Sequence, residues 1–282
     1  MKHAILFTLL ASLLAVGCER ARQTQPVLEY FDKDTTFTVG NVRCDVNYNY
    51  LTIANASRSE ALQAIEEANM GYFFNLESFS GTPAEAFETS LKQLTEELGP
   101  GSDGENNWDA TINVESQGRV VDSLLVYCIT RSSYTGGAHG LQSTDCHNYS
   151  LRGGYELTLI DLFDKRQQEA LGALIRTKLY DMFGVTGDEG LTEQGFFPEY
   201  IDVTENFRIT PEGIVFLYNP YDIGCYALGY IEVTVTGEEL ETLNRQSDER
   251  NLRRRRARAS SYPVPSQAEK HAPLRSGDPE RA

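Results

Sequence analysis

The sequence predicts an α+β domain, a mainly antiparallel sheet packed with about three helices. Apolar residues alternate with polar ones at a period of two in several stretches, Val42 to Thr52 among them. Amphipathic helical stripes occur in three separate places. Strands and helices come in blocks, with no regular strand–helix–strand alternation, which argues against a doubly wound parallel sheet.

Residues 35–53 open the fold. Val42, Cys44, Val46, Tyr48, Tyr50 and Thr52 alternate with Arg43, Asp45, Asn47 and Asn49, the pattern of a half-buried strand. Residues 57–70 read as a helix with Ala61, Leu62, Ile65 and Ala68 on one stripe and Gly71 near its end. In the second helix Thr82 is the N-cap, Pro83 takes the first helical position and Glu85 completes a capping box. Phe87, Leu91, Leu94 and Leu98 form its buried face, and Gly99-Pro100-Gly101 stops it. The polar run 101–107 lacks the ligand spacing of a calcium-binding loop and reads as a solvated turn. Trp108 to Ser116 and Val120 to Thr130 follow as strands turning about Gln117-Gly118.

The next stretch, Tyr134-Thr135-Gly136-Gly137-Ala138-His139-Gly140, joins that strand to a returning one over residues 142–151. Its three glycines permit a sharp turn or a close approach of the backbone to a neighbour. A helix then starts at the N-cap Asp164, with Gln167 three residues on. Leu171, Leu174, Ile175, Leu179 and Met182 line it, and Gly184 ends it. Residues 185–204 are a long connection whose apolar pair Phe196-Phe197 suits core cover ahead of an outward contact. Asn206 to Thr210 and Gly213 to Tyr218 form a hairpin about Pro211-Glu212. Tyr230 to Thr236 is the last strand, and Glu238 to Leu243 a short closing helix.

The flanks differ in kind from this body. Met1-Lys2-His3 followed by apolar Ala4 to Val16 is too short to span a bilayer and suits a secretory signal. It ends Leu14-Ala15-Val16-Gly17-Cys18, which resembles a bacterial lipoprotein signal with Cys18 as the lipidated residue. That divides the chain into a signal over 1–18, a tether over 19–34, the domain over 35–244 and a basic tail over 245–282. The tail holds Arg253-Arg254-Arg255-Arg256, lacks apolar periodicity and is expected to be disordered.

Charge is divided unevenly. The whole chain carries −16, but the tail holds ten Arg/Lys against five Asp/Glu and Lys2 leaves with the signal, so residues 19–244 carry −22. Such a body repels phosphates, which disfavours nucleic acid, and steers cationic partners toward itself. Four cysteines remain after Cys18, an even number in an exported chain. Cys128 and Cys146 lie almost symmetrically about Gly137 and would face one another across a hairpin. This favours a Cys128–Cys146 disulfide and leaves Cys44 with Cys225.

Only His139 and His147 lie in the body. No nucleophile elbow, phosphate loop or metallohydrolase motif accompanies them. Asp145 stands between them, but no further ligand has metal-site spacing, so no metal and no cofactor are expected. The amphipathic Tyr134, Tyr221 and Tyr226 suit a core edge or a recognition surface.

Tyr134 to Gly140 resembles the YTGGAHG signature of the RsiV-like domain family (domain of unknown function 3298). Leu157 to Phe163 is similar to the family's LTLxDLF step into a helix. Asn219 to Gly229 is similar to its PYEIAPYAxG element, with Gly224-Cys225 where Ala-Pro is usual. The likeness covers about 120–243 and weakens toward residue 40. It implies an α+β fold and marks Tyr134, Gly136, Gly137, His139, Gly140, Tyr221 and Tyr226 as binding or structural signature residues, none of them catalytic. It also implies a non-enzymatic, lipid-anchored protein of the cell envelope, in the periplasm or at the cell surface. Its ligand would be a cationic protein such as lysozyme or a cell-wall fragment. A peptidoglycan-processing accessory or weak hydrolase, and a structural envelope protein, are the alternatives.

Overall fold

A computed structural model describes residues 24–98 and 109–245. The signal, Cys18 and the tail beyond residue 245 lie outside the described residues, as do the 101–107 loop and Trp108.

Eight strands form two sheets. The first sheet is β1 (Leu28–Val39), β2 (Val42–Ile53), β3 (Ala110–Val121), β4 (Leu124–Tyr134) and β5 (Leu141–Ser150), in that spatial order. All neighbours are antiparallel except β2 and β3, which run parallel with Cys44 opposite Ala110. A parallel pair needs a long crossover. Helices α1 (Glu60–Phe74) and α2 (Pro83–Glu97) provide it and cover one face of the sheet. The second sheet is β6 (Phe207–Thr210), β7 (Gly213–Tyr218) and β8 (Ile231–Thr236), antiparallel throughout. It packs with α3 (Leu159–Leu162), α4 (Lys165–Phe183), α5 (Gly187–Glu193) and a last helix, α6, over 237–245. The fold is therefore α+β, with six helices where the amphipathic stripes indicate about three. Of the other three, α6 is the expected short closing helix, whereas α3 and α5 are four and seven residues long, too short for a stripe to reveal them.

Side-chain alternation builds two cores. Leu125, Tyr127 and Ile129 of β4 face α1 and α2, joining Tyr48, Tyr50, Phe73, Phe74 and Phe87. Tyr48 meets Phe73, Phe74 and Phe87 edge-on at 5.7, 5.7 and 5.9 Å. In the second core Ile214, Phe216 and Tyr218 of β7 pack with Val233, Val235, Leu171, Ile175 and Leu179. The opposite faces of the two sheets meet at Cys128, Cys146, Val215 and Leu217. The order of layers is helices, sheet, sheet, helices.

Glu66 fastens α1 to β2. Its buried carboxylate accepts from Tyr50 Oη (3.0 Å), Thr52 Oγ1 (2.6 Å) and Ile53 N (2.7 Å). Burial raises its pKa, and the three donors oppose that rise. The capping boxes at Thr82/Glu85 and Asp164/Gln167 are both formed, and Asn75 and Gly184 close α1 and α4 in the left-handed region.

Three sequence expectations are corrected. The tether does not reach residue 34, because β1 starts at Leu28 and pairs with β2 along its whole length. The strand is an edge, mostly exposed and polar, so its composition resembles a linker. The β3–β4 turn is not at Gln117-Gly118. Asp122 takes the left-handed conformation (φ 53°) and the strands turn there, while Gly118 lies inside β3. A Cβ on Gly118 would come within 3.0 Å of Leu51 Cδ2 and 3.2 Å of Tyr127 Cδ2, so this glycine permits a close approach in mid-strand. Finally, Cys44 and Cys225 are both free thiols. Cys44 is buried in the first core and Cys225 sits in the segment before β8. Counting cysteines cannot show that one is buried in the first core while the other is half-buried outside it.

Candidate functional site

The β4–β5 hairpin presents residues 135–140 at its tip. Its pairing sets Cys128 opposite Cys146, and their sulfurs are bonded. Gly136 and Gly137 hold φ of 102° and 97°, a region that other residues rarely enter. Tyr134 Oη donates to Gly137 O at 3.1 Å and closes the turn. A Cβ on Gly140 would lie 2.6 Å from Ser133 O, so the return to β5 also requires glycine.

The outer edge of β5 would be left unpaired, but asparagine amides occupy it. Asn219 Oδ1 accepts from Thr144 N at 2.7 Å, and Asn206 Oδ1 accepts from Cys146 N at 2.9 Å. Asn206 Nδ2 donates to Thr144 O at 2.7 Å. Asn148 reaches the other way, donating to Phe207 O (2.7 Å) and accepting from Ile209 N (2.9 Å). These bonds seat the second sheet, and with it the segment 219–229, beside the signature loop.

That seating brings His139, Tyr221 and Tyr226 together. The His139 ring stacks on Tyr226 at 3.9 Å and 19°, and Tyr221 lies 5.6 Å from Tyr226. Gly140 O accepts from Tyr226 Oη (2.9 Å) and from His139 Nδ1–H (3.0 Å). With the proton on Nδ1, His139 Nε2 accepts from Tyr221 Oη at 3.4 Å. Tyr221 holds a left-handed φ of 77° and leaves its side chain 54% exposed. Asp222 anchors this turn by accepting from Asn219 N at 2.7 Å. Burial raises its pKa, with Asp145 adding to the rise and Asn219 N–H opposing it. All seven signature residues thus fall in one surface cluster, with both ring nitrogens of His139 engaged inside it. What the cluster offers outward is aromatic faces, suited to stacking and to cation–π contact.

The other body histidine lies elsewhere. His147 stacks on Tyr72 at 4.0 Å and 11°, and its Nδ1 is 2.7 Å from Glu156 Oε1. Tyr72 Oη donates to Glu156 Oε2 at 3.0 Å. Asp145 pairs instead with Arg131 at 2.9 Å. His139, Asp145 and His147 are therefore not gathered around one point. Among the described residues no group of three or more His, Cys, Asp or Glu could hold a metal ion. The Tyr72–His147–Glu156 grouping has no motif in the sequence. Its one legible trace is the return of the chain after Gly153-Gly154, which pairs Glu156 with Tyr149.

A family model described as a protein of unknown function (DUF3298) matches residues 160–237. The signature loop precedes that span, whereas its partners Tyr221 and Tyr226 lie within it. Among solved structures, the chain is similar to a DUF3298 family member from Bacteroides fragilis, with 26% identity and a TM-score of 0.66, over 77% of this chain and 93% of that one. A DUF3298 family protein from Pseudomonas aeruginosa shares the fold at 19% identity and a TM-score of 0.57, over 78% of this chain and 94% of that one. No curated protein sequence matches the chain.

Proposed function

We propose, starting from residues 160–237 as a DUF3298 domain, that this protein is a non-enzymatic ligand-binding domain whose recognition surface is the His139–Tyr221–Tyr226 cluster. The supporting observation is the exposed, strained Tyr221 held against a loop that is itself tightly specified. Backbone strain of this kind persists only where surrounding structure enforces it, and it concentrates at functional sites. The engagement of both His139 nitrogens favours recognition over proton transfer.

The partner is a cationic protein of the lysozyme kind or a cell-wall fragment, met at the envelope where a lipid on Cys18 holds the domain. Electron-rich ring faces in a body of net −22 over residues 19–244 suit Lys and Arg side chains. The test is a titration of the protein with lysozyme at low and at physiological salt. Saturable binding that survives physiological salt supports the reading; binding that salt abolishes reduces it to charge attraction. Mass spectrometry of the cell-derived protein tests the anchor, and an unmodified Cys18 would refute it.

A hydrolytic or wall-processing role has one observation in its favour, the His147–Glu156 pair, in which a carboxylate orients an imidazole. Peptidoglycan turnover lost on His147→Ala would establish that role in place of binding alone.

A further inference from the structure

The apolar contact between the facing sheets is the small seam of Cys128, Cys146, Val215 and Leu217, and the asparagine bonds along β5 hold them at one edge. Beyond it they part and leave a cleft of about 730 Å³. Face-to-face sheets ordinarily fill such a space with interdigitating apolar side chains. Here the walls carry Gln117 and Arg119 of β3, Thr130 of β4, Arg208 of β6, and Tyr230 and Glu232 at β8.

We infer that this inter-sheet cleft is a binding site for a short, neutral oligosaccharide. The inference goes beyond the surface reading above and shares no residue with it. The cleft volume lies within the roughly 300–1,000 Å³ of small-molecule sites. Its chemistry matches a polyhydroxylated ring. Arg208 and Glu232 form a two-pronged pair at 2.9 and 2.7 Å, which fixes a planar array of donors and acceptors. Among the described residues, the Gln117 and Arg119 side chains make no hydrogen bond, so their donors face the open space. Tyr230 is 37% exposed and offers a ring to the C–H face of a sugar. Burial and the neighbouring Glu232 push its hydroxyl up to about 12.

Charge selects the ligand class. Arg119 and Arg208 balance Glu212 and Glu232 on the cleft walls, in a body that is otherwise strongly acidic. A neutral ligand is the one such a site does not penalise. Side chains from strand faces dominate the lining, which favours hydroxyl recognition over the backbone pairing that an extended peptide would seek.

Isothermal titration of the purified protein with the N-acetylglucosamine trimer tests the inference, with the galacturonic acid trimer and a neutral pentapeptide as competitors for the same role. Saturable binding of the neutral trimer is expected. Gln117→Ala or Tyr230→Ala should weaken it by about tenfold, and Thr234→Trp, which fills the cleft, should abolish it. Circular dichroism and melting of each variant separate loss of the site from loss of the fold. No saturation by the neutral trimer, equal affinity in folded variants, or tighter binding of the anionic trimer or the peptide would overturn the proposal.

Discussion

Removing the Cys128–Cys146 bond should lower the melting temperature substantially without unfolding the domain at room temperature. The bond closes a loop with a sequence separation of 18. Loop-closure entropy for that length gives about 3 kcal/mol of stabilisation. Each kcal/mol moves the midpoint by roughly 2–4 °C in a chain of this size, so Cys128→Ser with Cys146→Ser should melt roughly 6–12 °C lower. The same drop should follow addition of a phosphine reductant to the unmodified protein. Differential scanning calorimetry reads both. The bond also joins the two strands that carry the signature loop and forms part of the seam against Val215 and Leu217. Mobility should therefore rise first at residues 134–140 and 219–229, which hydrogen exchange would report. A shift smaller than about 2 °C would mean that the β4–β5 pairing already supplies the restraint and that the bond adds little. Peptide mapping under non-reducing conditions gives an independent check. It should find Cys128 linked to Cys146 and alkylation of both Cys44 and Cys225 after unfolding; a Cys44–Cys225 link would contradict the arrangement.

Three further perturbations follow from the geometry. Gly140→Ala drives a Cβ to within 2.6 Å of Ser133 O and should destabilise by about 1–3 kcal/mol in urea unfolding, whereas no change would mean that the loop relaxes freely. Tyr226→Phe keeps the stack on His139 but removes the donor to Gly140 O, and should cost about 0.5–1.5 kcal/mol in the same assay. Glu66 has a folded pKa above its unfolded one. Its contribution is therefore fully present below the unfolded value of ~4.3 and declines as pH rises through the folded value. Glu66→Gln should accordingly flatten the fall in stability as pH rises above ~4.3, and an unaltered slope would show that the carboxyl does not titrate there.

The parts of the fold legible in the sequence were those with strong local rules. Thr82-Pro83 with Glu85, Asp164 with Gln167, and the alternation from Val42 to Thr52 each specify an element without help from the rest of the chain. The facing of Cys128 and Cys146 needed only the symmetry of one hairpin. What escaped depended on tertiary context. Leu28–Val39 is an edge strand whose exposed, polar face carries no burial signal. Gly118 looks like a turn residue, yet Leu51 and Tyr127 determine its role from two other strands. His147 acquires its character from Tyr72 on α1 and from Glu156 beyond a turn. Resemblance identifies the signature residues one by one. Their assembly depends on Asn206 and Asn219 pairing with β5, and no local pattern announces that.

Recognition through the aromatic cluster is tested most directly by comparing lysozyme titrations of the unmodified protein and of His139→Ala with Tyr221→Ala at physiological salt. Saturable binding is expected for the unmodified protein, and at least about tenfold weaker binding for the folded double variant. Equal affinity for the two proteins, or no binding to either, would contradict recognition through this cluster.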